Sequence, residues 1–203
     1  MATHPPTPAT HHPRTEIAEN LFTVAALLTP EECRQLIDRG EGIGFEAASV
    51  ATTAGTKMMT NVRNNDRATF DDPKLATDLW ERVKPHLPPL GAATAIGLNE
   101  RLRFYRYDPS QRFHAHRDGV VERSPTERSR LTFMVYLNEG AEGGQTIFYS
   151  EERIDGLRKL VASVEPCLGM GLFFAHEWWH EGAKVLSGRK YVLRTDVIYR
   201  DPA

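Results

Sequence analysis

Four of the eight histidines fall into two short windows, Phe113-His114-Ala115-His116-Arg117-Asp118-Gly119 and Phe174-Ala175-His176-Glu177-Trp178-Trp179-His180-Glu181-Gly182. Histidine is the commonest metal ligand among side chains, so this clustering points to metal chemistry before anything else does. In the first window His116 and Asp118 stand two apart. In a strand that spacing turns an imidazole and a carboxylate to the same face, where both can meet one ion. Two ligands make an incomplete site, and the second window has to supply the rest.

That second window satisfies H-E-x-x-H through His176, Glu177 and His180, the zinc-hydrolase pattern. The pattern works on a helix, where i and i+4 share a face and the glutamate reaches the metal-bound water. Here the run Gly171-Leu172-Phe173-Phe174-Ala175 leads in as a strand, and Gly182 follows two residues after the second histidine. Ala183 stands where metzincins need glycine, and Asp196 is the acid left to complete such a site. The context favours the other arrangement, in which His180 alone joins His116 and Asp118. Two histidines and one carboxylate leave three adjacent metal positions open, the facial arrangement of non-haem Fe(II) oxygenases. His176 then stays outside the metal's own ligands.

Several elements must position these residues. Residues 1–14 hold four of the thirteen prolines and almost nothing apolar, and are expected to form a disordered tail. The run from Leu21 to Leu28 reads as a strand. Thr29-Pro30-Glu31-Glu32 is a helix start, and the helix is predicted to run to about Arg39, burying Cys33, Leu36 and Ile37. A second helix is predicted from Asp72-Pro73, with Leu75, Leu79 and Val83 on one face, stopping before Pro85. Beyond Gly97 short aromatic and β-branched runs alternate with turns, the texture of an antiparallel sandwich or barrel. Residues 15–203 are expected to be a single domain, mainly β in an α+β arrangement, with N-terminal helices packed on the β half.

The chain has 203 residues, 25 basic and 27 acidic, for a formal charge of -2, without the basic excess that phosphate binding on nucleic acid demands. No apolar stretch reaches the roughly 20 residues that cross a bilayer, and no export signal opens the chain. Cys33 and Cys167 are too few for a disulfide scaffold. A reducing, cytoplasmic compartment, with neither nucleic acid nor membrane as partner, is the expectation.

From about Leu21 to Arg200 the sequence resembles the Fe(II)/2-oxoglutarate dioxygenases of the prolyl 4-hydroxylase type, most specifically over residues 102–199. That family's Y-x-x-G-x-x-[YF]-x-x-H-x-D is similar to Tyr107 through Asp118, with Ser110 in place of the glycine. Its R-x-x-T-x-x-x-Y-L-N resembles Ser129 to Asn138, with Ser129 in place of the arginine. Gly143-Gly144-Gln145-Thr146-Ile147-Phe148 looks like G-G-E-T-x-F. The run from His180-Glu181-Gly182 through Val185, Gly188, Lys190 and Leu193-Arg194-Thr195-Asp196 to Tyr199 resembles the family's final motif.

The resemblance implies a double-stranded β-helix, or jelly-roll, core over about residues 98–200. It implies Fe(2+) held by His116, Asp118 and His180, 2-oxoglutarate as cosubstrate, O2, and ascorbate as supporting reductant. Lys190 is where the family keeps the cation for the cosubstrate's C5 carboxylate. Arg189 points to the opposite side of the strand and is the lesser candidate, although related hydroxylases use arginine one position earlier. Arg194 shares Lys190's face and would line the pocket deeper in, and Tyr107 and Thr132 would supply hydroxyls. Because Asp118 is retained, hydroxylation is expected over halogenation, with release of succinate and CO2.

The substrate is open between a prolyl residue in a peptide and an amino-acid-like small molecule. Residues 58–67 read as a polar loop that either covers substrate or is simply solvated, and Trp178 and Trp179 as either pocket wall or core. A barrel that binds or senses without catalysis is the alternative reading, the zinc hydrolase a further one.

Overall fold

The computed structural model describes residues 12–47, 50–52, 55–57 and 63–202. Its frame is two antiparallel sheets of unequal size. In the larger, the spatial order is Arg14–Ala18, Leu21–Val24, Gly171–Ala175, Glu127–Tyr136, Lys190–Arg200, Arg101–Tyr107, Asp66–Asp71 and Glu46–Ala47. Glu122–Ser124 pairs with the 127–136 strand and Thr94–Leu98 with the 190–200 strand. The smaller sheet orders Leu157–Val164, Thr146–Ile154, Trp179–Gly182 and Phe113–His116. From residue 101 onward the chain passes back and forth between the sheets, which is the jelly-roll topology expected from the resemblance.

Side-chain alternation along the long strands builds two cores. Leu102, Phe104, Leu131, Phe133, Val135, Phe173, Leu193, Val197 and Tyr199 face outward from the large sheet and meet the helices. Their neighbours Tyr105, Tyr107, Met134, Tyr136, Leu172, Phe174 and Val192 face inward, toward the small sheet. The space between the sheets is where a site can form.

Helix α1 (Pro30–Ile43) starts on the expected capping box, with Thr29 accepting from the Glu32 amide and Glu32 accepting from the Thr29 amide. Helix α2 (Pro73–Val83) is capped by Asp72, whose carboxylate accepts from the Leu75 amide. Arg82 of α2 pairs with Glu32, whose carboxyl this guanidinium brings down to about 2, so the cap of one helix is tied to the end of the other.

The structure departs from the sequence reading in four places. Arg14 already opens a strand and the Pro13 carbonyl accepts from the Ala25 amide, so order begins inside the expected tail; residues 1–11 lie outside the described residues. The strand expected over Leu21 to Leu28 stops at Val24, and Ala26 beyond it takes a positive φ of 50°. Helix α1 runs past Arg39 to Ile43: Gly40 is there for closeness, since a Cβ on it would lie 3.1 Å from the Phe104 ring. Finally, the large sheet recruits Leu21–Val24 and Asp66–Asp71, so the first half of the chain is less purely helical than its pattern suggests.

Gly143 closes the turn that feeds the 146–154 strand, at φ +75°, and a Cβ on it would lie 2.4 Å from the Lys184 carbonyl oxygen. Gly156 has a similar φ of +79° but open space around it. Gly156→Ala should therefore cost only the left-handed backbone penalty of about 1 kcal/mol, whereas Gly143→Ala adds a backbone clash and should cost about 2 kcal/mol or more. Urea denaturation of the two variants side by side checks this; equal losses would mean that the Gly143 turn relaxes freely.

Candidate functional site

His116 is the last residue of its strand, and Asp118 follows in the loop beyond it. His180 sits on the neighbouring 179–182 strand, in register opposite His116. The pairing brings the two rings to 4.3 Å between centroids. His116 Nε2 lies 3.8 Å from Asp118 Oδ1 and His180 Nε2 lies 3.7 Å from Asp118 Oδ2, and one ligand atom of each residue falls within 4.8 Å of the others. Among the described residues this is the one group of three or more such side chains close enough to share an ion.

Both imidazoles are turned for ligation. Nδ1 of His116 meets the His114 carbonyl at 2.8 Å, and Nδ1 of His180 meets the Trp178 carbonyl at 3.0 Å. A carbonyl only accepts, so each Nδ1 carries the proton and each Nε2 keeps a lone pair facing Asp118. Burial, reinforced by the neighbouring His180, pushes His116 down to about 3; burial likewise lowers His180. Two neutral imidazoles and a carboxylate match the donor set that ferrous iron takes.

Asp118 is ionised and held. Burial opposes its charge, but Arg194 at 3.1 Å and the Thr132 hydroxyl at 2.5 Å keep its carboxyl far below the usual range. Arg194 also pairs with Asp196 at 3.0 Å, and Asp196 with Arg103 at 3.4 Å and with the Asn99 amide at 3.3 Å. These charges stay buried because each faces an opposite one.

Above the triad opens a pocket walled by Tyr105, Tyr107, Phe113, Met134 and Val192, with Thr146 and Lys190 at its far end. Lys190 is 2% exposed, and among the described residues it forms no salt bridge within 4 Å; Glu165 acts on it only at longer range. Its Nζ donates to the Gly144 carbonyl at 2.5 Å and stands 5.2 Å and 5.3 Å from the Tyr107 and Tyr136 ring centroids. Burial pushes the ammonium down to about 7, against the weaker opposing pull of the Glu165 carboxylate. Tyr136 donates to the Thr146 hydroxyl at 2.7 Å. A buried amine beside hydroxyls has the chemistry to receive an anion entering the pocket.

The structure gathers His116, Asp118 and His180 as the sequence suggested, and places Lys190 and Tyr107 at the same pocket. Arg194 lines the pocket deeper in, as expected, whereas Thr132 lies away from Lys190. Thr132 lies level with Asp196 on the adjacent strand, four residues below Tyr136, and its hydroxyl serves Asp118. Arg194 spends its charge on Asp118 and Asp196. Besides Tyr107, the hydroxyl side chains at the Lys190 end are Tyr136 and Thr146, which the sequence reading missed. The G-G-x-T run signalled Thr146, and Tyr136 shares the inward face of Thr132 and Met134. Arg189 points away, to Asp108 at 2.5 Å.

No helix spans residues 176–180; they form a turn and the start of a strand, which removes the geometry a zinc hydrolase needs. Trp178 packs into both cores and donates to the Glu19 carbonyl, while Trp179 lies on the face opposite His180, covered by Arg158 at 3.6 Å. Of the polar loop, residues 58–62 lie outside the described residues. Arg63 and Asn65 are buried, contrary to the expectation for so polar a segment, because the guanidinium stacks on Phe113 at 4.1 Å and on Tyr105 at 5.0 Å and donates to the Asn65 amide oxygen. Ser110 holds φ +76°, the left-handed backbone for which the family pattern has glycine.

Comparison with known proteins agrees with this geometry. Residues 102–195 match the 2OG-Fe(II) oxygenase superfamily. Comparison with curated protein sequences finds no match. A viral collagen prolyl hydroxylase from Paramecium bursaria Chlorella virus-1 shares 19% identity over 88% of this chain and 94% of its own, with a TM-score of 0.55. A Pseudomonas putida prolyl-4-hydroxylase shares 19% over 91% and 94%, with a TM-score of 0.59. A Trichoplax adhaerens prolyl hydroxylase, solved with a peptide fragment of the hypoxia inducible factor oxygen degradation domain, shares 18% over 90% and 84%, with a TM-score of 0.64. Residues 102–195 thus match the 2OG-Fe(II) oxygenase superfamily, and the chain as a whole shares its fold with solved prolyl hydroxylases.

Proposed function

We propose that this chain is a 2-oxoglutarate- and O2-dependent Fe(II) oxygenase that hydroxylates an unactivated C–H bond and releases succinate and CO2. The observation that carries the reading is one pocket with a neutral-His, ionised-Asp, neutral-His set at one end and a buried lysine at the other. His116 and His180 would hold iron through Nε2, and Asp118 through Oδ1, since Oδ2 is already occupied by Thr132 and Arg194. Bound ferrous iron would supply O2 activation coupled to 2-oxo acid decarboxylation.

Lys190 binds the far carboxylate of the cosubstrate, with the Thr146 and Tyr107 hydroxyls beside it. Phe113, Met134 and Val192 make the pocket wall apolar, which strengthens the charge pairing and excludes water. The substrate is a prolyl residue in a peptide or an amino-acid-like molecule; the prolyl hydroxylases of like fold, one of them solved with a peptide, support the peptide form. Ascorbate serves as supporting reductant.

Iron-loaded protein should convert 2-oxoglutarate to succinate slowly even without substrate, and His116→Ala should abolish this. Wild-type protein that binds iron yet releases no succinate under any condition would turn the reading to a barrel that binds without catalysis.

Lys190→Ala should weaken cosubstrate binding by on the order of 3 kcal/mol, a hundredfold or more, because the buried carboxylate loses its only cation. Iron affinity should hardly change. The apparent 2-oxoglutarate constants of Lys190→Ala, Arg189→Ala and Arg194→Ala, taken together, check the assignment; a loss confined to an arginine variant would refute it.

The same lysine sets a pH dependence. In the ligand-free protein it titrates at about 7, and the dianion needs the ammonium form. Below that pH the site is charged and ready. Above it, binding must take up a proton, and affinity should fall by up to about tenfold per pH unit. Tyr107 and Tyr136, pushed up by burial, stay neutral across this range. Calorimetric titration of Co(II)-loaded protein with 2-oxoglutarate at successive pH values measures the slope. A flat profile would mean that Lys190 stays charged throughout.

A further inference from the structure

His176, the first histidine of the H-E-x-x-H run, is buried and takes no part in the proposed metal set. Its two ring nitrogens are nonetheless both engaged: Nε2 with the Ser129 hydroxyl at 2.8 Å, Nδ1 with the Thr132 hydroxyl at 3.1 Å. Ser129 in turn accepts from the Val121 amide at 2.8 Å, and Thr132 meets Asp118 Oδ2 at 2.5 Å. We propose that His176 is a positioning residue whose Nδ1–H, acting through Thr132, fixes the attitude of the Asp118 carboxylate. The proposal rests on the reading of Asp118 as a metal ligand.

The direction of every proton in this chain follows from its two ends. The Val121 amide can only donate, and an ionised carboxylate can only accept. Thr132 has one proton and two lone pairs. Arg194 Nη2, 3.3 Å away, donates to one lone pair, and the short contact to Asp118 requires the proton. The second lone pair must then be met by a donor, so His176 carries its proton on Nδ1. Burial keeps the ring neutral, so Nε2 is bare and accepts from Ser129, which itself accepts from the amide. The opposite tautomer would draw the Thr132 proton toward His176 and leave two oxygens facing each other at 2.5 Å, one of them charged.

Ser129 and Thr132 are three residues apart and would face opposite sides of a regular strand. The ladder with the 190–200 strand slips between Ser129 and Leu131, and this bulge returns both hydroxyls to one face, where they grip the two nitrogens of one ring. Ser129 is also the residue that stands where the resembled family pattern has arginine. With Oδ2 bound by Thr132 and Arg194, Oδ1 is the oxygen left for an ion.

The test begins with metal-free wild-type protein labelled with 15N. Long-range 1H–15N correlation should find His176 neutral with the proton on Nδ1; the Nε2–H tautomer would overturn the proposal whatever the variants do. Cobalt(II) titration then reads the carboxylate. His176→Leu and Thr132→Val should each lower Co(II) affinity by about 10- to 100-fold and shift its visible absorption, while His176→Asn, whose side-chain NH2 can occupy the Nδ1 position, should recover most of both. A folded His176→Leu with wild-type affinity and spectrum would make the residue ordinary packing. If His176→Leu fails to fold, the tautomer and Thr132→Val decide. His116→Ala serves as control: should it too leave Co(II) binding intact, the metal site itself is wrongly placed, a different failure from loss of the His176 effect alone.

Discussion

A carboxylate removed from water must meet a cation or give up its charge, and in this molecule the Asp118–Arg194 pair answers that demand. Asp118 comes from the loop after a strand of the small sheet, and Arg194 from the middle of the longest strand of the large one. Their contact bridges the two sheets at the site, and Thr132 adds a third point from the adjacent strand. Because the pair keeps Asp118 ionised without any metal, the proposed ligand set would be ready before an ion arrives. The two histidines complete it through hydrogen bonds to carbonyls of their own strand segments, so their orientation is a local property of the backbone.

What the sequence disclosed follows from period and spacing. His116, Asp118 and His180 could be chosen because strands sort side chains by parity and because a helix-only motif sat in a strand-like context. Lys190 and Tyr107 came from the resemblance, and the pocket holds both. Thr132 was misplaced because parity gives the face but not the depth: Thr132 and Tyr136 share a face, yet cross-strand register puts the first beside the acids and the second toward Lys190. Register depends on pairing between distant segments, and no local pattern reports it.

The remaining gaps have the same origin. Gly40 resembles a helix stop until the Phe104 ring that needs its missing side chain is known. Arg63 and Asn65 look too polar for burial until two aromatic rings and an amide oxygen are found around the guanidinium. His176 reads as half of a metal motif because its true partners, Ser129 and Thr132, are brought to it by a bulge some 45 residues away, and bulges leave little trace in composition.

The row Arg103, Asp196, Arg194, Asp118 alternates in sign and sums to zero. A divalent ion entering at its end would find no net negative charge to cancel its own. Under the proposed function the doubly charged cosubstrate would supply it, so ion and dianion would each raise the other's affinity by the same factor.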